Sequence, residues 1–98
     1  MFTIPWHAAP DATVHEVELG VIMNNLRADQ VNHWKERIGG YILLLDMGDM
    51  GLIKQALTNG HSWTLSKQQA GMLVLADPIS PEIITDPHNV ELLLNING

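Results

Sequence analysis

The sequence predicts an all-α fold, a compact domain of four to five short helices. Three observations carry this: apolar residues at helical spacing from Val31 to Leu45, capping-box spacings at Thr13 and Ser66, and polar–proline steps toward the C-terminus. The alternative left open is an α+β fold with one N-terminal strand pair. Residues 1–12 read as an N-terminal arm of a single domain spanning 1–98.

Thr13-Val14-His15-Glu16 has the spacing of a capping box, and Val14, Val17, Val21, Ile22 and Leu26 would form the inward stripe of a first helix. A strand up to Gly20 competes, because His15, Val17 and Leu19 alternate with Glu16 and Glu18 and the β-branched content is high. The second helix runs from Asp29, a plausible N-cap, to Asp46, with Val31, Trp34, Ile38, Tyr41, Ile42 and Leu45 on one face. After Gly39-Gly40 the segment Tyr41 to Leu45 becomes apolar all round, as expected for a segment buried within the fold or against another subunit. Each glycine costs a helix interior roughly 1 kcal/mol relative to alanine, so the pair calls for a break or a close helix crossing.

Gly51 to Asn59 reads as a short helix ended by Gly60, which readily takes positive φ. Ser66 with Gln69 opens a further helix to about Ala76, where Asp77-Pro78 stops it, a buried strand over Met72 to Leu75 being the fallback. The steps Ser80-Pro81 and Asp86-Pro87 predict a single turn over Pro81 to Ile84 and a last helix from Pro87 to about Asn95. The expected core is Val31, Trp34, Ile38, Ile42, Leu45, Leu52, Ile53, Leu57, Leu73 and Leu93.

Composition narrows the function. With 46% hydrophobic and 16% charged residues, where about a quarter charged is usual, the chain is globular. A net charge of −6 argues against phosphate neutralisation, so no direct nucleic-acid binding is expected. The charge is uneven, and Asp77, Glu82, Asp86 and Glu91 make the C-terminal third acidic. The absence of cysteine excludes a disulfide framework, a thiolate metal site and a thiol nucleophile. No Lys or Arg precedes Arg27, so no secretory signal is expected, and no apolar stretch approaches the roughly 20 residues of a membrane span. These readings predict a cytoplasmic protein without membrane contact.

Motifs for chemistry are sparse. The five histidines lack the paired spacing that puts two imidazoles on one helical face, and His33 with Glu36 amounts to half of a metal site at most. Asp46-Met47-Gly48-Asp49-Met50-Gly51 offers two carboxylates, too few for a calcium loop, and reads as a turn. The Gly48 to Gly51 match to a GxxG phosphate clamp is discounted because Asp49 would repel a phosphate. His61-Ser62 has no nucleophile elbow around it. The sequence therefore predicts no catalytic, metal or cofactor-binding residue, no cofactor, and no enzyme.

Trp6, in a proline-broken arm, and Trp63, in a short connector, have the form of interface anchors. With Met47, Met50, Leu43 and Leu44 they make the candidate contact set. The function expected is a non-enzymatic assembly or adaptor protein, a subunit of an oligomeric or viral or phage assembly, bound to a protein partner or to copies of itself. The alternative is an acidic inhibitor blocking a basic site on a nucleic-acid-processing partner.

Overall fold

The structure, a computed structural model, describes residues 13–25 and 27–98. It is α+β, not all-α. Three strands, β1 (Thr13–Met23), β2 (Ile38–Asp49) and β3 (Leu73–Ile79), form one sheet in the order β1-β2-β3. The helix α1 spans Met50–Thr58, and 3-10 helices occupy Ala28–Arg37, Trp63–Ser66 and Pro87–Asn89. No helix among the described residues is long and apolar enough to cross a membrane.

Contacts divide the chain into two compact units. One comprises the described residues up to Val17 with Leu45–Val74, the other Glu18–Leu44 with Leu75–Gly98. In the first, Met47 and Met72 are buried with Leu45 packed on them, and the Met47 amide donates to the Met72 carbonyl at 2.7 Å. In the second, Tyr41 is buried and the backbone of Gly40 lies against Ile79. Between β1 and β2, Val14 lies beside Gly48 in the first unit, an antiparallel pairing in which Glu16 stands opposite Asp46, and in the second unit Ile42 lies beside Gly20.

The corrections to the predicted helices share a cause. Thr13–Met23 takes the strand alternative, because Val14, Val17, Val21 and Ile22 are β-branched and pack well on a pleated surface. Only the first half of the expected Asp29–Asp46 helix is helical, as a 3-10 segment interrupted at His33 (φ −114°, ψ 24°), and Gly39-Gly40 lies in the strand that follows. The all-round apolar run Tyr41 to Leu45 is thus part of the central strand, its backbone paired on both edges; Tyr41 is buried, Leu43 is exposed, and Ile42, Leu44 and Leu45 are half-buried. The expected helix from Ser66 to Ala76 is replaced by a 3-10 turn and β3, and Pro78 sits within β3 because this is an edge strand, where a missing amide costs no ladder bond.

The start signal at Asp86-Pro87 yields one 3-10 turn, with Asp86 accepting from the His88 amide at 3.0 Å, and no helix to Asn95. Several expected core residues are accordingly exposed, among them Val31, Trp34, Leu57, Leu73 and Leu93. The Pro81 turn is present, closed by the Ile83 amide on the Ser80 carbonyl at 3.0 Å.

The helix over 50–58 forms where the sequence placed it. Asp49, buried at the end of β2, accepts from the Leu52 amide at 3.1 Å and caps α1, while Gly60 just beyond it takes φ +67°. Asp49→Ala is expected to cost about 1 kcal/mol, the usual value of an N-cap, read as a lowered midpoint in urea denaturation. An unchanged midpoint would show that the cap contributes nothing.

Candidate functional site

Strand geometry builds the candidate site. Side chains two apart on a strand share a face, so Glu16 and Glu18 project together from β1, and the β1–β2 register brings Asp46 to the same face. Each of the three offers a carboxylate oxygen, and these atoms lie within 4.8 Å of one another. Glu16 and Glu18 are exposed and Asp46 is partly buried.

Lys67 enters this cluster from the 3-10 turn after α1. Ser62 opens that turn by accepting from the Thr64 amide at 3.3 Å, and the hydroxyl of Ser66, fully buried, donates to the Trp63 carbonyl at 2.7 Å. The Lys67 amide donates to the Thr64 carbonyl at 3.0 Å, which anchors its backbone. Its ammonium reaches Glu16 Oε1 at 2.8 Å and Asp46 Oδ2 at 3.0 Å. Gly48 makes room for the stem: a Cβ there would stand 3.3 Å from Lys67 Cε and Nζ.

The hydrogen bond to Glu16, then that to Asp46 and the two negative charges, raise Lys67 above the ordinary lysine value of 10.5 against a smaller opposing effect of burial. The ammonium therefore stays charged across the neutral range. A raised folded-state value means that the bridge contributes fully below the ordinary lysine range and is lost as pH climbs through the raised value.

Three carboxylates converging on one point suit a hard cation, which takes oxygen ligands in preference to nitrogen or sulfur. The residues present fit a divalent ion of the magnesium, calcium or manganese type: three oxygen donors in a cluster open to solvent at Glu16 and Glu18. Sequence reasoning missed this constellation. The signal was the Glu16-x-Glu18 alternation, which has this meaning only on a strand paired with the one carrying Asp46.

The residues singled out from sequence fall elsewhere. Trp6 lies outside the described residues. Trp63 is exposed in the 3-10 turn, Met50 and Leu43 are exposed, Leu44 is half-buried, and Met47 belongs to the core with Met72. His33 Nδ1 and Glu36 Oε1 lie 3.3 Å apart as an exposed surface pair. Ser62 is engaged with Thr64, not with His61, in the described hydrogen bonds.

The fumarylacetoacetate (FAA) hydrolase C-terminal family matches residues 2–98. The chain belongs to that family. It is 36% identical over 94 residues to the mitochondrial oxaloacetate tautomerase of Schizosaccharomyces pombe, covering 91% of this chain and 42% of that protein. It is 35% identical over 85 residues to the mitochondrial oxaloacetate tautomerase of Homo sapiens, covering 86% and 38%. The chain thus spans about two fifths of the length of these relatives. The fold is shared with a crystal structure described as a fumarylacetoacetate hydrolase family protein from Yersinia pestis CO92, at a TM-score of 0.74 and 24% identity over 85% of this chain and 39% of that one.

Membership in an enzyme family overturns the non-enzymatic assembly or adaptor role, its viral or phage variant and the acidic-inhibitor alternative, along with the expectation of no enzyme. Those readings rested on composition and on apparent surplus apolar surface, neither of which registers three carboxylates that meet only through strand pairing.

Proposed function

We propose that this chain carries the cation-binding part of an enzyme that interconverts the keto and enol forms of a small oxo-dicarboxylate of the oxaloacetate type. The observation that carries the reading is the convergence of Glu16, Glu18 and Asp46 on one face of the β1–β2 pair with Lys67 bridging two of them. The names of the relatives supply the substrate class.

Tautomerisation moves a proton from the carbon beside a carbonyl to the carbonyl oxygen, and its barrier reflects negative charge building on that oxygen. A bound divalent ion would neutralise that charge and hold an anionic substrate. Glu16, Glu18 and Asp46 would hold the ion. Lys67 supplies N–H donors for a substrate carboxylate or for the enolate oxygen, and its raised proton affinity keeps it cationic for that task. The backbone anchoring of Lys67 through Ser66 and Thr64 limits the search its ammonium must make.

The test follows the ultraviolet absorbance of enol-oxaloacetate with the full-length gene product, with magnesium and after chelation. Accelerated decay that chelation abolishes and magnesium restores supports the reading. Decay at the uncatalysed rate under both conditions overturns it.

The protein partner or homo-oligomer expected from sequence belongs to this proposal, supported by the exposure of Trp63, Met50 and Leu43. Light scattering at low and high salt should find a salt-resistant multiple of the monomer mass, and a monomer at every concentration would overturn self-association. The cytoplasm is likewise proposed as the compartment, against relatives named as mitochondrial. Fractionation of the source cells decides between the two.

A further inference from the structure

We infer that the second unit carries a binding site for a small heteroaromatic carboxylate, in a cavity of about 350 Å³ lined from the 3-10 helix over Ala28–Arg37, the start of β2 and the proline turns after β3. Every lining residue falls within that unit and none belongs to the carboxylate cluster, so the inference stands apart from the tautomerase reading.

The walls are apolar and preformed. Trp34, Ile38, Pro81 and Pro87 supply hydrocarbon and ring surface. The two proline turns are closed by the Ile83 amide on the Ser80 carbonyl at 3.0 Å and by the Asn89 amide on the Asp86 carbonyl at 3.1 Å. Proline fixes φ, so this wall has little freedom to collapse inward. The volume stands at the lower end of the range of small-molecule sites, which suits one substituted ring.

Tyr41 sets the chemistry of the interior. Its side chain lines the cavity and the residue is only 4% exposed, yet its hydroxyl has no hydrogen-bond partner among the described residues. A buried tyrosine hydroxyl ordinarily finds a partner, and one left without it forfeits the solvation it had in water. A ligand with an acceptor atom in its ring would make that bond, and a hydrocarbon ring would not.

Lys35 sets the charge. Its ammonium lies 5.5 Å from the centroid of the Trp34 ring, on the same cavity, and makes no ion pair among the described residues. Asp86 and His88 line the cavity as well, but an Asp86 carboxylate oxygen already accepts from the His88 amide at 3.0 Å. A cation beside an exposed indole favours a planar anion, whose ring covers the aromatic surface while its carboxylate meets the ammonium.

The experiment measures binding of three probes to the full-length protein by calorimetry: nicotinate, benzoate, which lacks the ring nitrogen, and nicotinamide, which lacks the charge. Wild type should bind nicotinate about fivefold more tightly than benzoate, the worth of one hydrogen bond, and about threefold more tightly than nicotinamide, the worth of one solvated ion pair. Tyr41→Phe should erase the first difference and keep the second. Lys35→Met should do the reverse. During titration of wild type with nicotinate the indole N–H signal of Trp34, assigned through Trp34→Phe, should shift in step with binding.

Equal affinity of wild type for the three probes, no binding of nicotinate at millimolar concentration, or a Trp34 signal unmoved at saturation overturns the inference. The wild-type comparisons decide it even where Tyr41→Phe lowers the melting temperature, and none of these outcomes touches the carboxylate cluster.

Discussion

Under the proposed tautomerase activity, Asp46→Asn is expected to lower kcat/KM for enol-oxaloacetate by about two to three orders of magnitude, the scale on which removal of one charge-stabilising group acts in enzymes. The substitution keeps the size of the side chain and removes its charge. Asp46 is the cluster's partly buried member, stands opposite Glu16 across the β1–β2 pair and receives one of the two Lys67 bonds, so the loss of its charge weakens an ion ligand and an anchor of the ammonium together. Glu16→Gln should act in the same direction, since it removes the negative charge that the Lys67 ammonium approaches at 2.8 Å. Manganese affinity should fall in both variants while the circular dichroism spectrum stays that of wild type. Full activity in Asp46→Asn with chelator present would remove the carboxylate cluster from the chemistry.

Gly40→Ala is expected to destabilise the fold by about 1–3 kcal/mol, the usual cost of forcing atoms into a packed site. A Cβ on Gly40 would stand 2.8 Å from the carbonyl oxygen of Ile79. Backbone cannot yield as a flexible side chain does, so relief requires β2 and β3 to part at that point. For a domain of this size each kcal/mol lowers the melting temperature by roughly 4–8 °C. Gly48→Ala is the control: its tight contacts are Lys67 and Val14 side-chain atoms at 3.3 Å, which can give by a few tenths of an ångström. An equal loss in both variants would show that close backbone approach is not what selects glycine at position 40.

Local signals were legible wherever the decisive interaction is local. Gly60 and the apolar positions Leu52, Ile53, Ala56 and Leu57 mark that helix, because a left-handed stop acts on adjacent peptide groups. The turn at Pro81 was read for the same reason. The apolar run Tyr41 to Leu45 was misread because it satisfies a buried helix and a central strand equally well, and only pairing on both edges distinguishes them. The Asp86-Pro87 step opened a helix that does not extend, since a start signal says nothing about whether packing will continue it.

The carboxylate site shows the same division. Glu16 and Glu18 were visible as one half of an alternation, and Asp46 as one of two acids in an apparent turn. Asp46 lies 30 positions beyond Glu16, and Lys67 lies 51 positions beyond it. By itself the sequence determined composition, charge balance, the absence of thiol chemistry, the helix over 50–58 and the turns that local hydrogen bonds close. The tertiary structure alone decided that β1 and β2 pair in the register that sets Glu16 opposite Asp46. A cation site depends on charges held a few ångströms apart, and for residues distant in sequence that spacing exists only once the strands have paired.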